Sequence, residues 1–107
     1  MRRLGMMIGL RPEYVESYKT YHREVWPEVL KMITECNMTN YSIYYKDDVL
    51  FGYMEYMGSD LEADRAKMAA HSVTQEWWTI MEPMQDPLET RKPGEWWAEM
   101  EEVFHLD

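Results

Sequence analysis

The chain has one cysteine, Cys36, among its 107 residues, so no internal disulfide is available and a reducing compartment is expected. Cys36 follows Ile33 on a probable helix, where a small buried apolar role is its ordinary use. Positive charge is also scarce: 11 Lys and Arg against 20 Asp and Glu give a net charge of −9. An acidic surface repels nucleic acid and anionic lipid, which leaves a neutral ligand or a protein as partner. No window approaches the length of a membrane-spanning helix. The apolar run after Arg2 and Arg3 is short, broken by Gly5 and Gly9, and followed at once by Arg11-Pro12, unlike a secretory leader. A cytoplasmic location is the expectation. Histidine is limited to His22, His71 and His105 in three separate segments, with no His-x3-His, Cys-x2-Cys or His-Glu-x2-His spacing, so no metal site is expected. None of the glycines opens a helix after a strand as a phosphate loop would require, and no Ser-His-Asp pattern is recognisable.

What the chain does contain is a hydrophobic content of 46% beside 29% charged residues, with 11 methionines, eight tyrosines and five tryptophans. These numbers describe one globular domain over residues 1–107. Residues 2–10 alternate, with Leu4, Met6, Ile8 and Leu10 on one face, and predict a strand. Pro12 suits a first helical position, and Tyr14, Val15, Tyr18, Tyr21, His22 and Val25 recur at helical spacing. A second helical piece starts near Pro27, buries Val29, Leu30, Ile33 and Cys36, and stops near Asn37. Thr39–Lys46 and Val49–Met57 predict a hairpin across Asp47-Asp48. Ser59-x2-Glu62 and Ser72-x2-Gln75 have capping-box form, placing helices from about residues 60 and 73. Gln85–Glu95 reads as a loop and Glu101–Leu106 as a final strand. The order β-α-β-β-α-β predicts an α+β, ferredoxin-like antiparallel sheet with its helices on one face. The hairpin carries aromatics on both sides, which a sheet with one face in water does not. Its second face is therefore expected to meet another subunit, making a homodimer, or to line a cavity.

Tyr18 and His22 stand one helical turn apart on one face, placing a phenol beside an imidazole. Two such groups can move protons to and from a small polar ligand, although a lone histidine on an amphipathic face is more commonly a hydrogen-bonded core residue. Trp77 falls in line with Val73 and Met81 and reads mostly as core. Trp78, turned about 100° from it, is freer to line a pocket. Trp96-Trp97 form a second pair in or just after the loop. Adjacent tryptophans beside tyrosines suit the C–H face of a sugar, a haem, or a subunit interface. Glu55, between Tyr53 and Tyr56, is a second candidate base or a solvated edge residue; Tyr41 is equally open. His71 reads as a favourable charge at a helix end.

Taken together, Tyr18-x3-His22, Val25-Trp26-Pro27-Glu28, Asn40-Tyr41-x-Ile43-Tyr44, Leu50-Phe51, Gln75-Glu76-Trp77-Trp78 and Glu102-Val103-Phe104-His105-Leu106 resemble the L-rhamnose mutarotase family, in order and over nearly the whole chain. The resemblance implies a dimeric ferredoxin-like α/β barrel that interconverts the α and β anomers of L-rhamnose, or of a close 6-deoxy aldose, without a cofactor. It implies that His22 is the proton donor, that Tyr18 contacts the sugar, and that Tyr41, Trp77 and Trp78 bind it. His105, Trp96 and Trp97 receive no role. Two other readings compete: a haem- or quinone-type monooxygenase on the same barrel with His22 as ligand, supported by fold analogy alone, and a non-catalytic sugar-binding dimer.

Overall fold

Alternating apolar residues build the central strand, β1 (Arg2–Leu10), in a computed structural model that describes residues 1–107. Leu4, Met6, Ile8 and Leu10 are all buried on its inner face. Pro12 opens a 3-10 turn, Pro12–Tyr14, that leads into α1 (Val15–Arg23). The helix stops before Trp26-Pro27 because a residue preceding proline is pushed out of the helical region; Trp26 is extended at φ −57°, ψ 132°. Pro27 then starts α2 (Pro27–Glu35), whose buried residues are Val29 and Met32, with Cys36 buried at its C-terminal cap. Leu30, expected in the core, is half exposed instead. It is turned about 100° from Val29, so Met32 takes the inward place one turn on. Asn37, at φ 63°, ends the helix in the left-handed conformation that Asn tolerates.

The hairpin forms as the sequence predicts. Strands β2 (Met38–Lys46) and β3 (Val49–Tyr56) are joined by Asp47 and Asp48 at φ 48° and 62°. Positive φ at both central residues is the two-residue turn that matches strand twist. A bulge between Thr39 and Ser42 interrupts their ladder, with Asn40 at φ 47°. The cap positions differ from the expected boxes. Asp60 caps α3 (Leu61–Ala69) by accepting from the Ala63 N–H, and His71 caps α4 (Ser72–Met81) by accepting from the Thr74 N–H. His71 therefore acts through a ring lone pair and not, as expected, through positive charge.

After α4 a 3-10 turn, Glu82–Met84, delivers the chain to β4 (Gln85–Asp86), a strand within what reads as loop. β5 (Ala98–Met100) follows the Pro87–Trp97 excursion. Both pair antiparallel with β1, β4 beside Gly9 and Leu10 and β5 beside Gly5–Met7, so they form one edge in two pieces. The sheet runs β2-β3-β1-β4, antiparallel throughout, in a mixed α/β domain with four helices. The strand expected at Glu101–Leu106 is absent: the in-chain ladder ends at Met100, and Val103, Phe104 and Leu106 project into solvent. Glu102 still pairs with Arg3 of β1 at 2.9 Å, so the tail follows the sheet edge without joining it.

The core lies between the inner sheet face and the helices. Ile8, Leu10 and Leu50 pack there with Tyr18, Val29, Trp77, Met81 and Met84, while Leu4, Met6, Met38, Met54 and Tyr56 form a second cluster beside them. No helix is long and apolar enough to cross a membrane.

Candidate active site

Helical spacing alone brings the first two site residues together. Tyr18 and His22, one turn apart on α1, stack with ring centroids 4.2 Å apart and planes 25° from parallel. The His22 Nδ1 lies 2.9 Å from the Tyr18 carbonyl oxygen. A carbonyl only accepts, so Nδ1 carries the hydrogen and a neutral ring leaves its lone pair on Nε2. Nε2 has no partner within the chain. Burial pushes the His22 pKa below its ordinary value, against the smaller upward pull of the Tyr18 carbonyl. The imidazole is thus held neutral and able to take a proton.

Trp77 holds the ring from the other side. It is buried in the core cluster, as its alignment with Val73 and Met81 predicts. Three rings meet it edge-on: His22 at 5.4 Å, Trp26 at 5.1 Å and Tyr21 at 6.0 Å between centroids. Such edge-to-face packing matches the positive ring edge to the negative ring face and fixes orientation. Trp26 therefore packs the site from behind as well as marking the helix break.

Tyr18, His22 and Trp77 border a cavity of about 1030 Å³ between the helices and the sheet, at the upper end of the size range for small-molecule pockets. Tyr18, His22, Tyr41, Trp77 and Trp78 all line it. Trp78 is the more exposed of the α4 pair at 37%. Tyr41 reaches the cavity from the bulged segment of β2. Over a third of that residue remains accessible, yet its phenolic end is enclosed, and this desolvation, with Tyr18 nearby, pushes its pKa up. Its hydroxyl makes no hydrogen bond within the chain. Burial likewise pushes the Tyr18 phenol up to about 12, opposed by a hydrogen bond from Gln85.

Glu55 is separated from the other candidates. In β3 it alternates with Met54 and Tyr56 and so faces away from the helices. There it accepts hydrogen bonds from Asn40 Nδ2 at 3.1 Å and the Tyr53 hydroxyl at 2.8 Å. Those two donors, Asn40 first, hold its carboxyl below the usual range. It is a structural carboxylate on the far side of the sheet. His105 pairs with Asp107 in the exposed tail. No group of three His, Cys, Asp or Glu side chains is placed to hold a metal ion.

Sequence reasoning missed Gln85. It is 5% exposed, and its Nε2 donates to the Tyr18 hydroxyl at 3.2 Å while its Oε1 accepts from Trp96 Nε1 at 2.8 Å. A lone glutamine beside a 3-10 turn carries no spacing signal that would have found it. Trp96 and Trp97 both reach the cavity, the former through this bond.

The family model described as L-rhamnose mutarotase matches residues 3–106. The chain belongs to the L-rhamnose mutarotase family. Among its relatives, the L-rhamnose mutarotase of Lactiplantibacillus plantarum is 34% identical and that of Oceanobacillus iheyensis 32%, each match covering 100% of both chains. The crystal structure of an L-rhamnose mutarotase from Formosa agariphila superposes with a TM-score of 0.78 at 22% identity over 100% of both chains, a likeness of fold.

Proposed function

We propose that the protein interconverts the α and β anomers of L-rhamnose in the aromatic cavity, with His22 moving the proton of the anomeric hydroxyl. The observation that carries this reading is His22 itself: a neutral imidazole with Nδ1 tied to a carbonyl, stacked on a phenol, and a free Nε2 in a tryptophan-lined cavity. Mutarotation breaks the bond between C1 and the ring oxygen. The anomeric hydroxyl gives its proton to Nε2 as a phenolic O–H, from Tyr18 or Tyr41, supplies one to the ring oxygen. The open aldehyde turns about C1–C2. Closure on its other face returns the phenolic proton and makes His22 the donor to the new hydroxyl. Charge and protons balance over the cycle, and the residues alone carry both transfers.

The magnitudes agree with this division of work. If spontaneous exchange runs on the order of 10⁻³ per second, its barrier is about 21 kcal/mol, and reaching roughly 10³ per second removes about 8 kcal/mol. One acid and one base, at about 10² to 10⁴ each, supply most of that. Trp78, the exposed ring of the α4 pair, offers a flat surface to the C–H side of the pyranose ring, the buried Trp77 meets the sugar only where it lines the cavity wall beside His22, and Tyr41 offers an unpartnered hydroxyl.

The same reading gives the chain a ferredoxin-like sheet paired as a homodimer in the cytoplasm. The outer sheet face leaves Tyr44 63% exposed next to Phe51, and the tail leaves Phe104 80% exposed. A second copy would cover this apolar surface, and the mass measured by light scattering tests it. The activity is tested by saturation-transfer NMR on a panel of aldoses: acceleration is expected for L-rhamnose, and buffer-rate exchange for every sugar would refute the proposal.

A further inference from the structure

Of the three tyrosines lining the cavity, Tyr18, Tyr41 and Tyr45, only Tyr18 is joined to a buried polar network; the Tyr45 hydroxyl donates to exposed Asp48 at 3.1 Å. That network begins at a group with no choice of role. The indole Nε1–H of Trp96 can only donate. It points at Gln85 from 2.8 Å, so the atom it meets must be the amide oxygen; a flipped amide would set N–H against N–H. Fixing Oε1 on Trp96 directs Nε2 to the Tyr18 hydroxyl, 3.2 Å away. The Tyr18 oxygen must then accept. Its own hydrogen is left without an acceptor anywhere in the chain, on a side chain that lines the cavity. Gln85 is itself held by β4, whose pairing with Leu10 of β1 anchors it, and Trp96 comes from the far end of the excursion between β4 and β5.

We infer that Trp96 and Gln85 are positioning residues that set Tyr18 as a hydrogen-bond donor into the cavity, making it the phenol that supplies the proton to the sugar's ring oxygen. The inference rests on the mutarotase reading and assigns, within it, the acid that His22 works against. Tyr41 hydroxyl, which no chain group orients, is left to bind substrate. The excursion that ends at Trp96 becomes part of the catalytic geometry, since withdrawing the indole frees the amide to turn and accept the Tyr18 proton for itself.

The test is Gln85→Glu, made alone and with Tyr18→Phe, with anomer exchange of L-rhamnose followed by saturation-transfer NMR at several pH values. A carboxylate still accepts from Trp96 but captures the Tyr18 proton, so exchange should fall about 100-fold at neutral pH. Relative to wild type at the same pH, which cancels the protonation of His22, it should recover in part on acidification, when a protonated Glu regains a donor. In the Tyr18→Phe background the same change should add less than about twofold, because the proton it captures is already gone. Trp96→Phe, at a partly exposed site, should cost about tenfold through the freed amide. Multiplicative losses in the double variant would overturn the inference, as would Gln85→Glu exchange within about twofold of wild type. A wild-type chain that left exchange at the buffer rate would overturn the mutarotase reading as well, which separates the two failures.

Discussion

Tyr18→Phe has two opposite effects on stability, and pH separates them. At neutral pH the substitution removes the acceptor of Gln85 Nε2, in a side chain only 5% exposed. A buried donor left without its partner costs about 1–3 kcal/mol. At high pH a second effect enters. The unfolded chain ionises Tyr18 near its ordinary 10, whereas the folded chain keeps it protonated up to about 12. A tyrosine whose folded pKa is raised contributes stability that is complete below the unfolded pKa and lost as pH rises toward the folded one. Across that window the wild type loses, and the variant does not lose, roughly 2 kcal/mol at pH 11.5. The variant should therefore be less stable by about 1–3 kcal/mol at pH 7.5 and close to equal at pH 11.5. Urea unfolding followed by circular dichroism at both values measures the difference, in which the ionisation of the tyrosines outside the cavity cancels. A gap that stayed constant between the two pH values would refute the buried, Gln85-bonded phenol.

The lowered pKa of His22 sets the acid limb of activity: exchange should persist below the ordinary histidine value near 6.5 and fall as pH drops through the folded pKa, read from the pH profile of kcat/KM. An inflection above 6.5 that vanished in a fold-intact His22 variant would contradict it. The same shift makes stability fully present above about 6.5 and partly lost below it, because the unfolded histidine takes up the proton first. Gly9→Ala would place a Cβ 2.6 Å from the Asp86 carbonyl oxygen, so the β1–β4 contact must shift. It should cost about 1–3 kcal/mol in thermal or urea unfolding and lower exchange by displacing Gln85; an unchanged stability would show that the edge can yield freely.

The site was partly legible in the sequence for a geometric reason. Tyr18 and His22 lie on one helix, where spacing fixes the neighbour, and the 100° between Trp77 and Trp78 correctly separated the core ring from the freer one. Glu55 remained ambiguous because flanking tyrosines do not reveal which sheet face a residue takes; the β1–β3 register puts it with Tyr53 and Phe51, opposite the helices. Gln85 and Trp96 were not legible at all. They meet only because one edge of β1 is filled by two short pieces with an excursion between them, a tertiary event with no local signal. The last strand was misplaced by a few residues for a related cause. Val103, Phe104 and Leu106 have strand-like apolarity, but β1 has already been paired by Ala98–Met100.

Comparing His22→Ala with wild type in saturation-transfer exchange of L-rhamnose at pH 7.5 tests the central claim most directly. Circular dichroism and a melting curve would confirm that both are folded. Wild type should exchange the anomers far above the buffer rate, and the variant should fall by at least about 10² toward it. A folded His22→Ala protein that exchanged anomers at the wild-type rate would contradict the account.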